Sequence, residues 1–235
     1  MSKVALVTGG TRGIGYAIVE ALLRVGHQVA LTGTTSDGVL KAEHALSAAG
    51  GGRVLGSICD VRDPAAVHRA VQTAVERFGG LDVLINAAGV GVGAPIAELT
   101  LDEWNRIIDT NLTGVFHCCK SVIPHLRARG GGWIVNISSL SSTGPFPGGA
   151  AYVASKAGVN AFSDALMQEL RSDRIRVTTV LPGSVATGFS GREAGSGADW
   201  KLWPEDVAQV IVDLLAFPER SLPSRIEIRP SLPKK

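Results

Sequence analysis

The chain is short of the residue types that would place it outside the ordinary soluble folds. Only three of its 235 residues are cysteine. Cys59, Cys118 and Cys119 are odd in number, two are adjacent, and none stands at CxxC or Cys/His ligand spacing. That excludes a disulfide framework or a zinc ribbon and predicts three reduced, space-filling thiols. The five histidines, His27, His44, His68, His117 and His125, form no HxxxH or HxH pair, so no metal is expected. An excess of one charge is missing too: 23 basic against 21 acidic side chains leave +2, with no basic run beyond Lys234-Lys235. This excludes the electrostatic footprint of a nucleic-acid or anionic-membrane binder. No apolar stretch reaches the roughly 18 residues of a spanning helix. Met1-Ser2-Lys3 leads straight into a strand-like run, leaving no room for a signal peptide, and a cytoplasmic protein is expected.

What is plentiful is apolar side chain and glycine. At 45% hydrophobic residues, a chain of this length can bury roughly 70–75% of its unfolded surface. One domain over residues 1–235 therefore needs no covalent or metal staple. The 29 glycines follow no Gly-X-Y period and sit in no low-complexity tract, so they read as tight turns.

Short runs rich in Val and Ile at residues 4–7, 29–31, 54–58, 83–85, 133–137, 177–181 and 226–228 alternate with longer segments of helical period. Uninterrupted apolar strands are buried on both faces, and helices between them give an α/β fold with a doubly wound, seven-stranded parallel sheet. Asp63-Pro64, Thr100 with Glu103, and Pro204 mark helix starts. Polar and glycine residues collect just past the strand ends: Thr8-Gly9-Gly10, Asp60, Asn86 to Gly89, Ser138-Ser139 and Pro182-Gly183. Ligands of open α/β sheets bind on that rim.

The run Thr8-Gly9-Gly10-Thr11-Arg12-Gly13-Ile14-Gly15 stands between a strand and an amphipathic helix. There a pyrophosphate can approach the backbone and face the helix N-terminus. Its spacing is GxxxGxG rather than GxGxxG. No carboxylate stands at the end of the second strand, Thr32-Gly33-Thr34-Thr35-Ser36, before Asp37. Small hydroxyl residues there, with Arg12 in the glycine loop, favour NADP(H) over NAD(H); the alternative is that Asp37 reaches back to the ribose. Asp60 reads either as an adenine contact or as a solvated loop carboxylate.

Of the two tyrosines only Tyr152 is followed four residues later by a lysine, Lys156. On a helix both side chains share a face. A neighbouring ammonium favours the phenolate, which makes chemical sense of the pair, although an aromatic anchor beside a snorkelling lysine has the same spacing. Ser139 ends a strand thirteen residues earlier, where its hydroxyl can polarise a carbonyl, but Ser138, Ser141 and Ser142 crowd the same loop. Asn111 interrupts a helical segment running from Thr100 to about Arg127, where an amide competes for backbone groups and bends the helix.

Taken together these motifs resemble the short-chain dehydrogenase/reductase family over essentially the whole chain: TGxxxGxG at residues 8–15, Asp60, NAAG at 86–89, Asn111, Ser139, Tyr152-xxx-Lys156 and PGxVxT at 182–187. Within it the chain looks most like the β-ketoacyl acyl-carrier-protein reductases. The resemblance implies a Rossmann-type sheet with helices on both faces and an NADPH-dependent oxidoreductase moving a hydride between nicotinamide and a ketone or secondary alcohol. It implies Tyr152 as general acid, Lys156 on the nicotinamide ribose and lowering the tyrosine pKa, Ser139 on the substrate oxygen, and Asn111 supporting a water relay. The cofactor would follow Gly9, Thr11, Arg12, Gly13, Ile14 and Gly15, reach Thr34, Asp60 and Val61, and pass Asn86, Ala87 and Gly89. Beside Tyr152 and Lys156 it would meet Pro182, Gly183, Val185 and Thr187. A homodimer or homotetramer is implied, consistent with the small, apolar residues on more than one face of the helix from about Ala151 to Leu170.

Three departures limit the resemblance. Asn86-Ala87 replaces Asn-Asn, the lid region from Ala186 to Trp203 is short and Gly/Ser-rich, and no Asp-Gly-Gly follows the last strand. Val90, Val92, Leu140, Phe146, Pro147, Phe189, Trp200 and Trp203, against few cations such as Arg192 and Lys201, suggest a small carbonyl substrate with an apolar flank. The alternatives are a β-ketoacyl thioester reductase, a non-catalytic dinucleotide sensor, and an epimerase, for which the chain is too short.

Overall fold

A computed structural model describes residues 2–91, 93–189 and 200–232. In chain order they form β1 (Val4–Thr8), α1 (Gly13–Arg24), β2 (Gln28–Gly33), α2 (Ser36–Gly50), β3 (Val54–Ile58), α3 (Pro64–Phe78), β4 (Val83–Asn86), α4 (Leu101–Ile108), α5 (Gly114–Ala128), β5 (Gly132–Ile137), α6 (Ala150–Leu170), β6 (Ile175–Pro182), α7 (Pro204–Leu215) and β7 (Arg225–Ile228). All seven strands are parallel, in the order β3-β2-β1-β4-β5-β6-β7. The order reverses between β1 and β4, whose register sets Thr8 opposite Asn86.

Strand side chains alternate between two cores. Val4, Leu6, Ala30, Leu84, Ile134 and Val177 join α3, α5 and α6 on one face. Ala5, Val7, Leu31, Ile85, Val135 and Val180 join α1, α2 and α7 on the other. This double burial is why the strands are continuous apolar runs. The three cysteines are free and buried, and burial pushes the Cys59 thiol up to about 11.

The helix starts form as their sequences indicate. Asp63 accepts from Ala65 N at 2.8 Å, and Thr100 and Glu103 make a reciprocal capping box. The segment expected as one helix from Thr100 is interrupted: α4 ends at Ile108, a π-turn spans Asp109–Thr113, and α5 follows. One residue more than an α-turn holds is accommodated there. Asn111, at its centre and fully buried, spends its amide on other elements. Among the described residues no helix is long and apolar enough to cross a membrane.

Candidate active site

The glycine loop between β1 and α1 adopts its shape because its glycines lack side chains. Gly9 and Gly13 have φ of +66° and +56°, the left-handed region. A Cβ on Gly9 would lie 2.8 Å from Ala88 Cα, and one on Gly15 would overlap the Gly9 carbonyl. The loop therefore lies flat against the end of β4. Thr8 Oγ1 seals the junction by accepting from Ala87 N and Ala88 N at 3.1 and 3.2 Å. Ile14, Ala87 and Val185 pack on the core beneath, and the Thr187 methyl would lie 3.5 Å from a Cβ on Gly13. Gly183 is fixed by its N–H to Ile228 O at 2.8 Å, just past Pro182. Glycine loop, β4 end and the loop after β6 thus meet at the reversal of strand order.

Helix α1 has no side-chain cap and no acid in its first turn. Its first N–H groups are left for an anion. Arg12, immediately before α1, is exposed and makes no ion pair among the described residues. Thr34 is exposed at the end of β2. Thr35 caps α2 through Gly38 N, and Asp37 pairs with Lys41 at 2.8 Å on the exposed side of α2. Thr11 rests against Gly33, where a Cβ would collide with it. Asp60 is held by the Arg62 guanidinium through Nη2 at 2.6 Å and Nε at 3.0 Å, which draws its carboxyl below the ordinary range. Val61 beside it is buried, its carbonyl 3.0 Å from His117 Nδ1. In this structure the Asp60 carboxylate thus already has a cationic partner.

On the other side of the rim α6 packs on β5 and β6 and presents Tyr152 and Lys156 toward the end of β5. Lys156 is buried, donates from Nζ to Ile137 O at 2.8 Å, and is drawn down to about 8 by burial. Its Nζ lies 6.0 Å from the Tyr152 ring centroid. Burial raises the Tyr152 phenol above its ordinary value, and the hydrogen bond with Ser139 opposes that rise. The lowered phenol expected from the Tyr-Lys spacing is therefore not the balance in the protein alone: desolvation dominates.

The crowded serines separate by direction. Ser138 Oγ donates to Lys156 O at 3.1 Å and ties strand to helix, whereas Ser139 Oγ faces Tyr152. Asn111 Nδ2 donates to Val90 O at 2.9 Å and Ser155 Oγ at 3.0 Å, and its Oδ1 accepts from Val90 N at 2.8 Å. A Cβ on Gly89 would stand 3.5 Å from Asn111 Oδ1 and 3.7 Å from Lys156 Nζ, so the three converge. Asn86 instead donates to Asn136 at 2.8 Å inside the sheet. Of the expected apolar flank, Phe189 meets the Tyr152 ring edge-on at 5.8 Å, Leu140 approaches Gly183, and Phe146 covers Gly149. Trp203 precedes α7 with its N–H on Asp206. Val92 and Arg192 lie outside the described residues.

Sequence reasoning missed Ser155 and Asn160, and it placed Thr8 in the glycine motif without finding its two hydrogen bonds. Ser155 carries Tyr152 O on its hydroxyl at 2.7 Å, and Asn160 donates to Ser142 Oγ at 2.8 Å. A signal was present, because Tyr152, Lys156 and Asn160 recur every four residues on one helix stripe.

The short chain dehydrogenase family matches residues 3–195. A 3-oxoacyl acyl-carrier-protein reductase of Chlamydia muridarum is 37% identical over 191 residues, covering 81% of this chain and 77% of that protein. A glycine betaine reductase of Emericella nidulans is 38% identical over 237 residues, covering 97% of this chain, which spans only 19% of that protein. Among solved structures, an alcohol dehydrogenase of the archaeon Thermococcus sibiricus complexed with 5-hydroxy-NADP superposes with a TM-score of 0.92 at 30% identity, covering 100% of this chain and 99% of the other.

Proposed function

The chain belongs to the short chain dehydrogenase family, and from that premise we propose that residues 1–235 act as one NADPH-dependent oxidoreductase domain, transferring a hydride between the nicotinamide and a ketone or secondary alcohol. The observation that carries the reading is the convergence of Ser139, Tyr152 and Lys156 at the end of β5, beside a glycine loop with an uncapped helix behind it. Binding alone needs no half-buried phenol with a buried lysine 6.0 Å from its ring, which argues against a sensor.

The residues fit a dinucleotide. Gly9 and Gly15 let the loop close on Ala88 and on itself where side chains would collide, so its backbone is bare toward the rim, and the open N-terminus of α1 suits a pyrophosphate. Thr34 and Arg12 suit a 2′-phosphate, while Asp37 is committed to Lys41; the NADP-type ligand in the Thermococcus sibiricus structure agrees. When bound, NADPH supplies the hydride. Ser139 then holds the substrate oxygen by its hydroxyl proton, and Tyr152 gives that oxygen its proton. Lys156, with one donor on Ile137 O and two to spare, holds ribose hydroxyls and favours the departing phenolate charge. Asn111 fixes the Val90 loop over this group.

Phe189, Leu140 and Phe146 favour an apolar flank on the substrate. A β-ketoacyl thioester is the second reading, favoured by the Chlamydia muridarum relative. Ala154, Ala157 and Ala161 are exposed along α6, and such a stripe suits a symmetric dimer. The test is NADPH oxidation against aryl ketones, alkyl ketones and acetoacetyl thioesters, in the parent and in Tyr152→Phe. The variant is expected to fold, bind NADPH and lose turnover by about 10²–10⁴-fold. Substantial ketone reduction by Tyr152→Phe would overturn the assignment.

A further inference from the structure

Lys156 Nζ on Ile137 O and Ser138 Oγ on Lys156 O, at 2.8 and 3.1 Å, fasten residues 137 and 138 to α6. Ser139 lies beyond that fastening, at the head of a 3-10 turn, Leu140–Ser142. The hydrogen bonds inside the turn are local: Ser141 N on Ser139 Oγ, Ser142 N on Ser139 O, and Thr143 N and Gly144 N on Leu140 O. Such bonds keep the turn's shape without fixing where it stands against the helix. Among the described residues the side chains of α6 reach this segment twice, Tyr152 at Ser139 itself and Asn160 Nδ2 at Ser142 Oγ at 2.8 Å, and the second is the one that holds the body of the turn.

Resting on the function proposed above, we infer that Asn160 and Ser142 form a positioning pair that clamps the turn carrying Ser139 against the Tyr152–Lys156 face of α6. Ser142 has one hydroxyl proton and gives it to Ser139 O at 2.5 Å, so it accepts from Asn160. That sets the orientation of the Asn160 amide. Ser139 Oγ in turn accepts from Ser141 N, which leaves its own proton for the Tyr152 oxygen and the substrate. The line from Asn160 to Ser142 to Ser139 therefore ends at the reacting oxygen.

Asn160 is a costly residue for any purpose but this. It stands inside a helix, where asparagine propagates poorly, and its Oδ1 is buried with no partner. For packing alone an apolar residue would serve better. Its place, four residues after Lys156 and eight after Tyr152, continues the stripe that faces the end of β5.

The experiment compares the parent, Asn160→Leu, Ser142→Ala, the double variant, Ser142→Thr and Tyr152→Phe, with NADPH and an aryl alkyl ketone. Asn160→Leu and Ser142→Ala are each expected to lower kcat about 10- to 100-fold, the scale of a misplaced reacting group, with the NADPH dissociation constant unchanged. The double variant is expected to be no worse than the weaker single, as for one shared interaction. Ser142→Thr, which keeps the hydroxyl, should retain turnover. Asn160→Leu should melt no lower than the parent, and its pH profile for alcohol oxidation should move to higher pH, as the phenol loses the Ser139 proton. Normal kcat in Asn160→Leu, or single-variant losses that simply add, would overturn the clamp. If Tyr152→Phe is inactive while Asn160→Leu is normal, the clamp alone fails. If Tyr152→Phe is active, the function on which it rests fails first.

Discussion

Replacing Lys156 by methionine should make the protein more stable and catalytically useless at once. The ammonium is buried with Ile137 O as its acceptor, and burial brings its pKa from 10.5 to about 8. At about 1.4 kcal/mol per pKa unit, folding penalises the ammonium relative to the neutral amine by about 3 kcal/mol. Methionine keeps the apolar stem and removes that penalty, at the loss of one charge-assisted hydrogen bond worth about 2 kcal/mol. A net gain of about 1 kcal/mol is expected at pH 7, which for a chain of this length raises Tm by roughly 2–4 °C. Below about pH 8 the lysine is charged in folded and unfolded chains alike, and the penalty is fully present. Between about 8 and 10.5 the unfolded lysine holds a proton that the folded one has lost, so parental stability rises with pH relative to the variant. The gap should therefore close across that window. Thermal melts of both proteins without cofactor, at pH 7 and 9.5, read it directly, because other titrating groups cancel in the difference. A methionine variant less stable at pH 7, or a gap that stays constant between the two pH values, would refute the reasoning.

Two further outcomes follow from the rim and from α6. Thr34→Asp places a carboxylate beside the position proposed for the 2′-phosphate, and a like charge there costs on the order of a few kcal/mol; the ratio of kcat/KM for NADPH over NADH should fall about 100-fold, and an unchanged ratio would remove Thr34 from that role. Light scattering at micromolar concentration should report a dimer or tetramer, and Ala157→Glu should shift it toward the monomer, whereas a monomeric parent would sink the proposal for the alanine stripe.

The central strands were legible because they bury both faces, so their apolar runs stand out without a period to decode, while the edge strands β3 and β7, half-buried or exposed, were legible from their short Val and Ile runs. Helix starts were legible because Asp63, Thr100 and Glu103 act within three residues of themselves. The pairing of Tyr152 with Lys156 was legible for the same reason, one helical turn being short in sequence. What escaped was the set of contacts between distant segments. Nothing in the order of residues says that Asn160 meets Ser142, that Thr8 carries two amides from the end of β4, or that Ser138 turns toward the helix while Ser139 turns toward Tyr152. The π-turn was half legible: an asparagine out of place in a helix announced a disturbance, but its form depended on Val90 and Ser155, which lie 21 and 44 residues further off in sequence.

That turn changes what the helical rod on either side of it can do. Residues 107, 111, 114 and 118 would line up along one edge of an uninterrupted α-helix, since eleven residues make just over three whole turns. The wider turn at Asp109–Thr113 shifts the phase between the two halves by close to a quarter revolution. So α4 faces α6, while α5, continuing the same axis, offers Cys118, Cys119 and Val122 to α3 and the sheet. The extra residue works as a rotary coupling between two surfaces that a regular helix cannot address together, with Asn111 seated at the joint. Deleting any one residue of the turn would rotate one half by about 100° against the other, so the loop over the site and the α5 side of the core could not both keep their partners.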